Sequence, residues 1–155
     1  MTTFVRSSRW DDVKYIGLNM RKSDIEELDK AGIYKPGGSL VAGMRESSIC
    51  LSIEDENLGT VAMFGVVGKI EEPANIWLLG TDGINKVKKS FMRISKEFLD
   101  VFLKIHPELF NYVDCKNLKT IAWLKLLGAV IYPPEPYGVK GNKFCRFSFR
   151  RVANV

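Results

Sequence analysis

The chain has 155 residues, of which 46% are hydrophobic and 26% charged, and a net charge of +5. That length and balance point to one globular domain, 1–155, whose core is large enough to need no covalent staples. Cys50, Cys115 and Cys145 are far apart and form no C-x-x-C pair, which argues against a zinc site or a disulfide framework and fits a reducing cytosol. No apolar stretch approaches the ~20 residues of a membrane span, and residues 1–12 hold no apolar signal core. A sequence pI near 9.1 favours anionic partners.

The predicted elements run as follows. Residues 4–8 read as a first strand. Residues 10–19 read as a helix with Trp10, Val13, Ile16 or Gly17 and Met20 on one face, and Asp11 and Asp12 suit its N-terminus. Ser23 and Glu26 have capping-box spacing ahead of a second helix, 24–31, in which Ile25 and Leu28 are expected inside and Glu26, Glu27 and Lys30 in water. A loop around Pro36 precedes a third helix, 39–46. Residues 48–54 alternate as a strand, 60–69 form a nearly continuous apolar run expected of a central strand, and 76–80 form the next strand. Their short polar connections imply an antiparallel meander.

A long helix is predicted over 85–105, with Val87, Phe91, Ile94, Phe98, Val101, Phe102 and Ile105 as its apolar stripe and Pro107 beyond its end. A strand over 109–113, a helix over 117–127 stopped by Gly128, a strand start at 130–132, a stiff loop at 133–136 and a closing strand over 143–151 complete the chain. In the closing strand Phe144, Phe147 and Phe149 are expected on the core with Arg146, Arg150 and Arg151 outside, so nucleic acid is not the expected partner. The fold class is therefore α/β (α+β), a single mixed sheet with helices on both faces. His106 reads as a residue complementing a helix C-terminus, and Cys115 as a structural thiol.

The unit Asn117 to Ala129 carries a resemblance. Asn117 opens a helix and Gly128 closes it at the separation seen in N-x-x-A-x-x-x-Y-x-x-x-G-F, with Thr120, Leu124 and Ala129 at three of the motif positions. With the element order, this resembles the Gcn5-related N-acetyltransferases over nearly the whole chain. A narrower resemblance rests on 64–68 (FGVVG), 76–84 (IWLLGTDGI), Lys104 to Pro107, 111–117 (NYVDCKN), 122–129 (AWLKLLGA) and 143–149 (KFCRFSF). These look like the acetyltransferase-like proteins of short-tailed, T7-type bacteriophages, including the family named for internal virion protein A.

The resemblance implies a mostly antiparallel sheet with splayed fourth and fifth strands, and acetyl-CoA or another acyl-CoA in the gap. The implied cofactor-binding residues are Leu79, Gly80 and Thr81 on the fourth strand, Lys86, Val87, Lys88, Lys89 and Ser90 at the following helix start, and Asn117. The family's phosphate-loop glycines are missing here, and Lys86, Lys88 and Lys89 supply charge in their place. Acyl transfer to an amine needs a base; Asp82, Glu54 or Glu56, and Asp114 are the candidates. Leu124 stands where the family tends to place the tyrosine that protonates the leaving thiolate, leaving two alternatives: Tyr112, Tyr132 or Tyr137 substitutes, or no group is needed. The implied setting is the host bacterial cytoplasm, or the virion. Two functions follow: an N-acyltransferase acting on a host protein or small amine, or a non-catalytic protein of the same fold that binds a host enzyme or takes part in virion assembly.

Overall fold

A computed structural model describes residues 2–152. Its elements are β1 (Thr3–Ser7), α1 (Trp10–Asn19), α2 (Lys22–Lys30), α3 (Pro36–Glu46), β2 (Ile49–Asp55), β3 (Gly59–Val67), β4 (Ala74–Gly80), a 3-10 turn (Asp82–Lys86), α4 (Lys88–Ile105), β5 (Glu108–Asp114), α5 (Leu118–Leu126), β6 (Val130–Ile131), β7 (Glu135–Tyr137) and β8 (Asn142–Arg150). All eight strands join one sheet in the order β1-β2-β3-β4-β5-β8-β6, with β7 also paired to β8. Every pairing is antiparallel except β4 with β5, which run parallel and meet only at Ala74 with Leu109 and Asn75 with Phe110. Past those two rungs the strands separate.

Each face of the sheet has its own core. On one, α1 and α3 cover β3 and β4 through Val13, Ile16, Met20, Leu40 and Met63. On the other, α4 and α5 cover the whole sheet with Phe91, Ile94, Leu99, Phe102 and Leu124 against Val61, Phe64, Leu109, Val113 and Phe147. β3 is buried on both sides because both layers rest on it, which explains its unbroken apolar run. In β8 consecutive Phe144 and Cys145 are both buried, Cys145 in the α4–α5 core and Phe144 against Tyr137.

Several local expectations are corrected. α2 starts before Ser23 and no side chain caps it, so the Ser23–Glu26 box does not form. Ile25 is exposed, and Trp10 likewise lies outside while Val13, Ile16 and Met20 go in. Val101 is on the outer side of α4, with Leu99 taking a core position. The long helix does not start at residue 85: residues 82–86 wind into a tighter 3-10 turn, and α4 begins at Lys88. The proline-rich loop holds a short strand, β7, added to the end of β8.

α5 is delimited as read. The Asn117 side-chain oxygen accepts from the Thr120 N–H at 3.3 Å. Gly128, at φ 101°, ends the helix while Gly128 N–H and Ala129 N–H donate to the carbonyls of Lys125 and Leu124, a Schellman stop. His106 terminates α4 but is almost wholly buried, with Nδ1 3.1 and 3.0 Å from the carbonyl oxygens of Lys69 and Glu72. It pins the β3–β4 connection to the helix end, and acts beyond the dipole role read from its position.

Candidate functional site

Separation of β4 from β5 opens a cleft of about 450 Å³ that passes through the sheet. Its walls are α2 and α3 on one face, the facing edges of β4 and β5 in the middle, and α4 and α5 on the other, including Phe98, Trp123 and Leu124. The lining is mainly apolar, and its carboxylates are Asp24, Glu27 and Glu46.

Antiparallel pairing fixes what the β4 edge offers. Thr81 N–H bonds to Val61 C=O at 2.9 Å, so by the alternation of the ladder the backbone groups of Ile76, Leu78 and Gly80 point away from β3, toward the gap. Two of these residues are already engaged. Asn111 Nδ2 donates to the Ile76 carbonyl. Gly80 N–H donates to Asp24 Oδ2 at 2.9 Å, and Gly80 C=O accepts from Arg21 N–H at 2.9 Å. Leu78 remains as the residue whose N–H and C=O face the cleft.

Glu27 is the residue that the sequence reading placed in water. It lines the cleft, with Oε1 accepting the Asp114 N–H at 2.7 Å and Oε2 3.4 Å from Asn117 Nδ2. Burial pushes its carboxyl above the usual carboxylate range; the Asp114 N–H opposes this, and the nearby Asp24 and Asp114 charges add to the rise. A signal for it was present: Asp24, Glu27, Leu28 and Ala31 share one helical face, i, i+3, i+4 and i+7, and all four line the cleft.

Of the predicted bases, Asp114 lies at the cleft's margin, at the end of β5. Burial works against its charge, but Lys30 Nζ at 2.6 Å and the Lys116 N–H hold its pKa low. Glu54 is elsewhere, paired with Arg6 at 2.8 Å on the β1–β2 side. Glu56 is exposed in the β2–β3 turn. Asp82 is exposed at the start of the 3-10 turn and borders a separate hollow with Tyr15, Asn19 and Lys86. Among the tyrosines, Tyr112 and Tyr137 stack at 4.3 Å and line the cleft, whereas Tyr132 sits 3.4 Å from Ser148 Oγ away from it. Burial, then Tyr112, raise the Tyr137 pKa. Leu124 is buried in the α5 wall.

The predicted cofactor residues divide into two groups. Leu79 pairs with Met63 and lines the cleft, Gly80 is engaged as described, and the buried Thr81 hydroxyl donates to Val61 C=O at 3.0 Å. Val87 precedes α4, where Phe91 N–H to Val87 C=O is the first helical bond and no side chain caps the end. The N–H groups of Lys88, Lys89 and Ser90 therefore lie ahead of the ladder, with the exposed Lys86, Lys88 and Lys89 side chains around them. An anionic phosphate fits that end by dipole, donors and charge. No glycine with positive φ falls in this connection, so a left-handed phosphate-cradling loop is not formed. The strand end fits less well, because an extended arm along β4 meets Gly80 already bonded on both sides.

A model of the family described as "Bacteriophage T7, probable scaffold protein Gp13" matches residues 59–134. A search of curated protein sequences returns no match. Among solved structures, the chain is similar to the ribosomal-protein-S18-alanine N-acetyltransferase from Escherichia coli (12% identity, 99% of this chain and 97% of that one, TM-score 0.72). It is also similar to Ard1 from Thermoplasma volcanium (16%, 99% and 100%, 0.72). A third is spermidine N-acetyltransferase from Vibrio cholerae in complex with CoA and spermine (13%, 96% and 95%, 0.70). At these identities the likeness is one of fold, and it establishes the acetyltransferase fold for the entire sheet and both helical layers.

Proposed function

We propose that this protein is a phage-encoded, acyl-coenzyme A-dependent N-acyltransferase that modifies a host bacterial protein or a small amine. The observation that carries the reading is the cleft through the splayed strands, with the part-buried Glu27 carboxylate in its lining. The thioester substrate enters from the α4–α5 side, its phosphates on the α4 start beside Lys86, Lys88 and Lys89, and the amine approaches from the α2–α3 side. When the amine nitrogen attacks the thioester carbonyl, the new N–C bond raises the acidity of its N–H. Glu27 takes that proton, the C–S bond breaks, and the amide and a thiolate result. A thiol of pKa about 8.5 leaves without an obligatory acid, which accommodates Leu124 in place of a tyrosine.

The test is thiol release from acetyl-coenzyme A in the presence of spermidine, a lysine-rich peptide or host lysate. Acceptor-dependent release is expected, falling ~100-fold or more in Glu27→Gln, the range for loss of a general base. Release no faster than the uncatalysed rate with every acceptor overturns the reading.

The match of residues 59–134 to a phage scaffold family favours a second reading, a non-catalytic component of virion assembly. Mass spectrometry of purified virions separates the two: a fixed copy number in particles supports assembly, and absence from them supports an enzyme of the host cytoplasm.

A further inference from the structure

The splayed edge of β4 is an unusual element: a strand end inside the molecule whose backbone groups face a gap. Such an edge takes up any extended chain that presents amide groups at strand spacing. Here the chain supplies one itself. Met20 forms an isolated antiparallel bridge with Thr81, and the Arg21 N–H and the Asp24 carboxylate take the Gly80 C=O and N–H, both at 2.9 Å. Asp24 is held in place in turn, with its Oδ2 2.8 Å from Arg21 Nε and only 7% of the residue exposed.

We infer that the link between α1 and α2 is a latch on the β4 edge. An extended, amide-bearing ligand, including the arm of an acyl-coenzyme A, gains full access to the edge only when Arg21 and Asp24 release Gly80. In the closed form the edge offers such a ligand one residue, Leu78. In the open form it offers Leu78 and Gly80, four backbone groups in register. The latch rests on the acyltransferase reading for the identity of its ligand, and on Gly80 alone for its existence.

Two variants open it. Asp24→Ala removes the acceptor for Gly80 N–H. Arg21→Pro removes the donor to Gly80 C=O and sets a ring carbon against that oxygen, which forces the contact apart, while φ −64° at Arg21 and ψ 137° at the preceding Met20 are both compatible with proline. Coenzyme A binding to the full chain is measured by calorimetry, and exchange of the Gly80 and Leu78 amides by NMR. The wild type is expected to protect Gly80 but not Leu78. Asp24→Ala is expected to lose the Gly80 protection, and each folded variant to bind coenzyme A at least tenfold more tightly. Equal affinity in wild type and variants overturns the latch while leaving the acyltransferase reading intact. Binding by none of the three proteins overturns both. A wild-type Gly80 amide that exchanges as fast as that of Leu78 overturns the latch whatever the affinities.

Discussion

Two carboxylates in this molecule, the buried Asp12 and the part-buried Glu27, are held under opposite terms. Asp12, at the start of α1, accepts two bonds from the Arg6 guanidinium at 2.8 Å, one from Arg9 N–H and one from the Ser52 hydroxyl. Burial opposes its charge, yet Arg6, the Arg9 N–H and the Ser52 hydroxyl hold its pKa far below the ordinary value. Glu27, across the sheet edge, has a backbone N–H and an amide but no salt bridge, and burial pushes its pKa up. The first arrangement closes a seam between β1, α1 and β2. The second keeps a proton acceptor available in a gap. The same functional group thus serves stability where it is over-satisfied and, on the function proposed above, chemistry where it is under-satisfied.

The sharpest way to break the contrast is Asp12→Ala. It removes both Asp12 bonds to the Arg6 guanidinium, leaving Arg6 with Glu54 alone, and is expected to destabilise the fold by about 1–3 kcal/mol, read as a shift of the urea midpoint. The pH dependence follows the sign of the shift. Because the folded pKa is depressed, the Asp12 contribution is present above the unfolded value near 4 and is lost as pH falls toward the folded one. Acid unfolding of the wild type is expected to steepen there, and Asp12→Asn to flatten it.

Glu27→Gln comes next, with its loss of turnover, and it sharpens the contrast by moving stability the other way. A raised carboxyl pKa favours the folded state at low pH and loses that contribution as pH rises through the folded value. Removing the charge is therefore expected to stabilise the protein at neutral pH, by on the order of 1 kcal/mol or ~2–4 °C in Tm. A thermal scan in which Glu27→Gln melts lower than wild type at pH 7 contradicts this.

Gly43→Ala probes the wall between the two regions. A Cβ there meets the Trp77 ring at 2.5 Å, and Trp77 cannot retreat freely because its Nε1 donates to Ser47 Oγ at 2.8 Å. Overpacking of about 1–3 kcal/mol is expected, measurable as a lowered Tm with a narrowed cleft. The smallest effect is expected from Lys86→Ala with Lys89→Ala. Both are exposed, so stability should move by less than ~0.5 kcal/mol, while coenzyme A affinity falls several-fold at low salt and less at high salt.

The fold was legible because its signals are collective. Alternation over 48–54, the apolar run over 60–69, the stripe of α4 and the Asn117–Gly128 bracket each repeat one message across many residues, and the element order followed. The site was less legible because it depends on single side chains crossing between elements. Glu27 reads as solvent-facing within α2, and only the distant β5–α5 corner, at Asp114 and Asn117, turns that face inward. Gly80 reads as a free strand end, and only the α1–α2 link, sixty residues earlier in the chain by roughly the separation of Arg21 and Gly80, occupies it. The 3-10 turn at 82–86 was missed for a local reason: Asp82, Gly83 and Asn85 are turn formers that compete with regular helix.

Strand β8 pairs with β5, β6 and β7, yet follows all three in the chain. During synthesis, β5 is complete while its only long partner is still unmade, and its Leu109 and Val113 wait without a neighbour on that side. At about 5–20 residues per second the interval lasts some seconds, long compared with the collapse of a small domain. The half-sheet β1 to β4, built on the β2–β3–β4 meander, has all its strands made by then, whereas the half that forms the far wall of the cleft does not. The order of synthesis therefore leaves the last pairing of the sheet to the strand that backs the far wall of the cleft.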